Sequence, residues 1–205
     1  MLPSVSHPPK AVSSRTGFTA VGIFSSDGRT VSQTQTFNEN FVATEIDRGT
    51  FIFIADRDER FLVDHTRGCL RRIEASPGRI QRDTLRSVIG EVSVRREEVD
   101  IEIDGFVCQR YNFRNANPRI TLDGETFATR IPGVEATALP AEREHDSLVQ
   151  PFSLPLETDH LVVRSTLRST AGGFDQVQSY RLLSIRAGIE KPDRFEVWSK
   201  LPIAD

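Results

Sequence analysis

From Gly17 onward the apolar residues come in short runs separated by turn residues, the spacing of an antiparallel meander rather than of helices. The clearest stretch is Val99-Asp100-Ile101-Glu102-Ile103-Asp104, where aliphatic and carboxylate side chains alternate, so one face of that strand is wet. Four dipeptides mark hairpin joints. Asp27-Gly28 joins 18–24 to 29–37, Asp104-Gly105 joins 97–103 to 106–114, Asp123-Gly124 joins 119–122 to 125–131, and Gly172-Gly173 joins 160–170 to 174–186. A two-residue hairpin needs positive φ at its tip, which glycine adopts without strain and a β-branched residue does not. Asp47-Arg48-Gly49 and Thr66-Arg67-Gly68 read as slightly longer turns that extend the meander through strands at 40–46, 50–55, 60–64 and 69–74.

Phe51-Ile52-Phe53-Ile54 and Phe61-Leu62-Val63 are apolar at successive positions, so both faces of those strands need cover from a helix, a second sheet, an apolar ligand or a protein partner. Helical signals are few. Arg79 to Ile89 sets Ile80, Leu85, Val88 and Ile89 on one face before Gly90, and Ala141–Val149 lies between Pro140 and Pro151. The rest of 132–158 is a proline-bearing excursion outside the sheet, a lid or covering segment. Residues 1–16, with Pro3, Pro8 and Pro9 among serines, form a flexible or surface-laid arm. The expected architecture is mainly β: one domain over 17–205, an antiparallel meander forming a strongly curved sheet or open half-barrel, with one or two short helices packed against it.

Composition narrows the function. The 26 basic and 29 acidic side chains, net charge -3, lack the basic excess of a general nucleic-acid binder. Lysine occurs only at Lys10, Lys191 and Lys200, an arginine bias read as coding preference before anion binding. No apolar run reaches the ~20 residues of a membrane-spanning helix. The first residues lack the basic-then-apolar pattern of a secretory signal, so an export signal is absent or already removed.

Candidate chemistry is sparse. Cys69 and Cys108, the two cysteines, fall on separate strands. A disulfide closing about 40 residues and worth ~4 kcal/mol is one reading, and two buried free thiols are the other. Neither has a second ligand at zinc spacing. Asp64, His65 and Cys69 suggest a nucleophile relay, but they straddle a turn with no oxyanion site beside them. Asp100-x-Glu102-x-Asp104-Gly105 opens like a calcium loop, yet Tyr111 stands where the bidentate glutamate belongs, and a solvated acidic face is the simpler account. No phosphate-cradling glycine loop, nucleophile elbow or HExxH motif occurs, so no catalytic residue, metal or cofactor is expected.

Gly105-Phe106-Val107-Cys108-Gln109-Arg110-Tyr111 has the form Gly-x-x-Cys-x-x-Tyr; a proline-rich crossing from Pro151 to Pro155 then leads to the 160–186 hairpin and a final Phe195-Glu196-Val197-Trp198. In order and spacing this resembles periplasmic proteins of the lipoprotein-carrier (LolA-like) type, over roughly residues 17–200. The resemblance implies an unclosed β-barrel, a periplasmic or envelope location, and a non-enzymatic role holding an apolar ligand or lipid-modified segment. Phe51, Phe53, Phe61 and Val63 are the expected ligand-contacting residues, with a lipid or lipidated protein as partner. The alternative is a structural subunit that associates with an assembly partner through its arm and strand edges.

Overall fold

Three of the expected reversals have the backbone that their residues demand. Asp27 and Gly28 have φ of 51° and 74°, Asp104 and Gly105 53° and 84°, and Gly172 and Gly173 55° and 90°, the doubly positive pattern of a tight hairpin. The computed structural model describes residues 17–37, 41–46, 49–54, 59–74, 87, 90–115, 117, 119–130, 160–187, 197–198 and 200–204. The arm 1–16 and the excursion 132–158 lie outside the described residues.

Among the described residues, twelve strands form one open sheet. They are β1 (Phe18–Ser26), β2 (Arg29–Phe37), β3 (Phe41–Ile46), β4 (Gly49–Ile54), β5 (Glu59–Asp64), β6 (Cys69–Arg72), β7 (Val92–Ile103), β8 (Phe106–Asn115), β9 (Ile120–Arg130), β10 (His160–Ala171), β11 (Phe174–Ala187) and β12 (Ile203–Ala204). The spatial order is β12-β6-β5-β4-β3-β2-β1-β11-β10-β9-β8-β7, so two meanders join where β1 meets β11. All pairs are antiparallel except β12 with β6.

One expected hairpin is absent. Asp123-Gly124 lies in the middle of β9, and 119–122 and 125–131 are not two strands but one. Gly124 stands opposite Phe113, whose ring rests on it, and a Cβ there would also come within 2.5 Å of the Thr166 carbonyl oxygen. The glycine serves close approach, not reversal.

Residues paired across strands project to the same side of a sheet, which separates two faces. The front carries Phe18, Ala20 and Phe24 of β1, Val31, Gln33 and Gln35 of β2, and Val42 and Thr44 of β3. Much of the main core, including Phe18, Ala20, Val42, Tyr180 and Leu182, packs there. On the back of β3–β6, a second cluster joins Ala43, Ile52, Phe61, Val63 and Leu70 to Trp198, with Leu201 against it. The chain's own end thus covers one side of the two-sided apolar strands. The Pro202 carbonyl accepts from the Leu70 amide (2.8 Å), and Ile203 pairs with Leu70.

Two short helices are expected, at 79–90 and at 141–149. Among the described residues the helical positions are Ser87, Val197 and Trp198, and most of 79–90 and all of 141–149 lie outside them.

At the other end, the register of β7 with β8 shifts between Arg96 and Asp100. A bulge of this kind bends a hairpin, and the tip reaches across to β10 and β11. There Asp104 accepts hydrogen bonds from Arg164 Nη2 (3.0 Å), Arg181 Nε (3.1 Å) and Arg181 Nη2 (2.9 Å).

Candidate functional site

The residues expected to share a ligand site divide between the two faces. Phe61 and Val63 are 2% and 4% exposed on the back, inside the cluster closed by Trp198. Phe51 pairs with Thr44 and Leu62 on the front and is half-buried; Phe53 occupies the register position between Val42 and Arg60. Adjacent positions of one strand face opposite ways, so an apolar run need not make an apolar cavity.

Cys69 and Cys108 are free, buried thiols on β6 and β8, with eight strands between them in the sheet. Burial pushes the Cys108 thiol up to about 12, which suppresses the reactive thiolate. The Asp64, His65 and Cys69 side chains do not form a relay. Asp64 Oδ1 accepts the amides of Thr66 (3.1 Å) and Arg67 (3.0 Å), holding the turn, while His65 Nε2 lies 3.0 Å from Thr50 Oγ1. Asp100 and Glu102 are exposed, whereas Asp104 is engaged by two arginines. Among the described residues no cluster of His, Cys, Asp and Glu is arranged to hold a metal ion.

A depression of mixed polarity lies elsewhere, at the front end of β1, β2 and β3. A groove of about 790 Å³ is lined by Phe24, Val31 and Ile46 together with Ser26, Asp27, Arg29 and Thr30. Phe24 pairs with Val31, and Gln33 pairs with both Gly22 and Ile46, so the groove's apolar floor and Gln33 share one face. The ring of Tyr180 occupies the space above Gly22, where a Cβ would meet its Cε2 at 2.5 Å. Gln33, Gln35 and Thr44 are buried at 3%, 2% and 0% exposure, and Gln35 Nε2 donates to Thr44 Oγ1 at 3.5 Å.

The β10–β11 hairpin meets the groove's lining at Asp27. Gln176 Nε2 donates to Asp27 Oδ2 (2.6 Å), and Phe174, two residues before it on the same face of β11, is 82% exposed. This region is not legible in the sequence, because Ser32-Gln33-Thr34-Gln35-Thr36 is polar at every position and hides its buried side. The available signal was the hairpin itself, which fixes Val31 opposite Phe24.

A second depression, about 680 Å³, lies on the other face of β7–β10. It is ionic, and its charges are largely paired internally: Arg110 with Glu125 and Glu97, Arg114 with Asp123 at 3.8 Å, and Arg168 with Asp175. An alternating ladder of this kind has little net field for a charged ligand.

The two sheet edges are poor templates for strand addition. β12 has two residues, and β7 carries its bulge together with exposed Arg95, Arg96, Glu98, Asp100 and Glu102. Among the described residues no helix is long and apolar enough to cross a membrane, which leaves spanning by strands untouched.

No family model and no curated protein matches this chain. It is similar to a solved structure of PNGF-II, at 9% sequence identity and a TM-score of 0.46, over 92% of this chain. The chain spans 30% of the length of that protein. At this level the likeness carries no chemistry across to the present chain.

Proposed function

We propose that this protein is a non-enzymatic binding module that holds the acyl chain of a lipid or lipid-modified segment in the front groove of β1–β3, in the cell envelope. The observation that carries the reading is the groove itself: about 790 Å³, with Phe24, Val31 and Ile46 among its seven lining residues, within the ~300–1,000 Å³ usual for small-molecule sites. Exposed Phe174 on the same side of the sheet supports it, because an aromatic left in water at a glycine-hinged tip gains by covering an apolar ligand. The envelope location rests on the lipoprotein-carrier resemblance.

The test is displacement of an apolar fluorophore, with mass spectrometry of the native protein for lipid carried through purification. Ile46→Glu, which sets a carboxylate on the groove floor, is expected to weaken fluorophore binding at least tenfold, about 1.4 kcal/mol. Absence of both fluorophore binding and co-purified lipid refutes the reading.

A further inference from the structure

The lining of the groove is graded in polarity along the strands. Next to the Asp27-Gly28 turn, Ser26 stands opposite Arg29, and one step further in on the same face Phe24 stands opposite Val31. Ile46 comes next, paired with Gln33, two residues on from Val31. Ser26, Asp27, Arg29, Phe24, Val31 and Ile46 all line the groove. Same-face side chains repeat every two residues, so the charged row lies about 7 Å from the apolar one.

The two charges at the turn end are not paired. Among the described residues neither Asp27 nor Arg29 forms an ion pair. Asp27 Oδ2 accepts from two neutral donors, Gln176 Nε2 at 2.6 Å and Ser26 Oγ at 3.3 Å. These hold the carboxylate in place and leave its charge uncompensated. One anion and one cation therefore face the same end of the groove, with no net charge between them.

We propose that the groove takes a zwitterionic amphiphile, a lipid whose phosphate is held by Arg29 and whose ammonium is held by Asp27, with the acyl chain running past Phe24 and Val31 toward Ile46. This rests on the groove reading above and names its substrate class. The guanidinium fork suits a phosphate. A purely anionic head would gain Arg29 but face Asp27, and a purely cationic head would meet the reverse. A ligand with no head group would cover both charges and return nothing for their lost water. Both residues are exposed, so each pair sets preference by a small factor while apolar contact supplies most of the affinity.

The experiment measures displacement of the apolar fluorophore by three dodecyl amphiphiles, each kept below the concentration at which it forms micelles. Dodecylphosphocholine carries both charges, dodecyl methyl phosphate the anion alone, and dodecyltrimethylammonium the cation alone. The wild type is expected to bind the first about threefold more tightly than either of the others, the factor of one exposed ion pair. Phosphocholine without a chain should not displace. Arg29→Gln should bring dodecylphosphocholine level with dodecyltrimethylammonium and keep its lead over the phosphate. Asp27→Asn, which tolerates the φ of 51° and still accepts from Gln176, should do the opposite. Equal wild-type affinities for the three, tighter binding of a singly charged compound, displacement by phosphocholine alone, or a preference unchanged in both variants overturns the head-group assignment while leaving the groove standing. If no amphiphile displaces the fluorophore, the groove reading falls and this inference with it. The wild-type comparison decides even if a variant does not fold.

Discussion

Replacing Asp104 by asparagine should cost about 2 kcal/mol. Arg164 of β10 and Arg181 of β11 are direct cross-strand partners, an arrangement that repels unless an anion lies between them. Asp104 supplies that anion with three hydrogen bonds at 2.9–3.1 Å. Its side chain is 13% exposed, against 40% and 39% for the two arginines. The cost therefore falls between the ~0–1 kcal/mol of a surface pair and the ~3–5 kcal/mol of breaking a buried one. Asparagine tolerates the positive φ of 53° at this position, so the substitution removes charge without straining the turn. For a chain of this size, about 2 kcal/mol lowers the melting temperature by roughly 4–8 °C. Urea unfolding of both proteins across pH gives the second reading. Burial pushes the Asp104 carboxyl up, but the hydrogen bond from Arg181 and the charges of Arg164 and Arg181 outweigh it and hold the group below its ordinary value. The folded state then binds fewer protons than the unfolded one over that interval, and the contribution is fully present above the unfolded value of about 4. The gap between wild type and variant should be level above about pH 5 and close as the pH falls through the lowered folded value. A variant within 0.5 kcal/mol of wild type at neutral pH, a threshold set by the ordinary scatter of about that size for surface substitutions, or a gap that widens in acid, refutes the clasp.

Gly124→Val should destabilise by about 1–3 kcal/mol through overpacking against Phe113 and the Thr166 backbone; a neutral result in urea unfolding would show that Phe113 moves freely. Phe61→Ala should cost about 3–5 kcal/mol and shift the emission of Trp198, the single tryptophan, to the red as its packing opens; unchanged emission would place Trp198 off the back of β4–β5. In the native protein at mildly alkaline pH neither cysteine should react with a thiol reagent, and both should react after denaturation, because both are buried and the Cys108 thiol is pushed up to about 12. Rapid labelling of the native state would contradict that burial.

The sequence by itself determined where the chain reverses, wherever the reversal is a property of its own backbone. Asp27-Gly28, Asp104-Gly105 and Gly172-Gly173 demand positive φ and have it, and the strands they join follow from that local chemistry. Only the tertiary structure decided what each glycine and each apolar residue faces. Asp123-Gly124 has the same letters as a hairpin tip, yet it runs straight because Phe113 on the neighbouring strand needs the space above Gly124. Phe51 and Phe61 look equivalent in a row of aromatics, but the register of β4 with β5 sends them to opposite faces, and Trp198, far along the chain, settles which face is closed. Gln33 sits in a polar run and gives no sign of being buried, and Asp104 ends an acidic stripe and gives no sign of two arginines more than fifty residues ahead. Turn geometry is fixed by the energy of a few adjacent dihedrals, whereas burial and pairing depend on partners that only the folded sheet brings together.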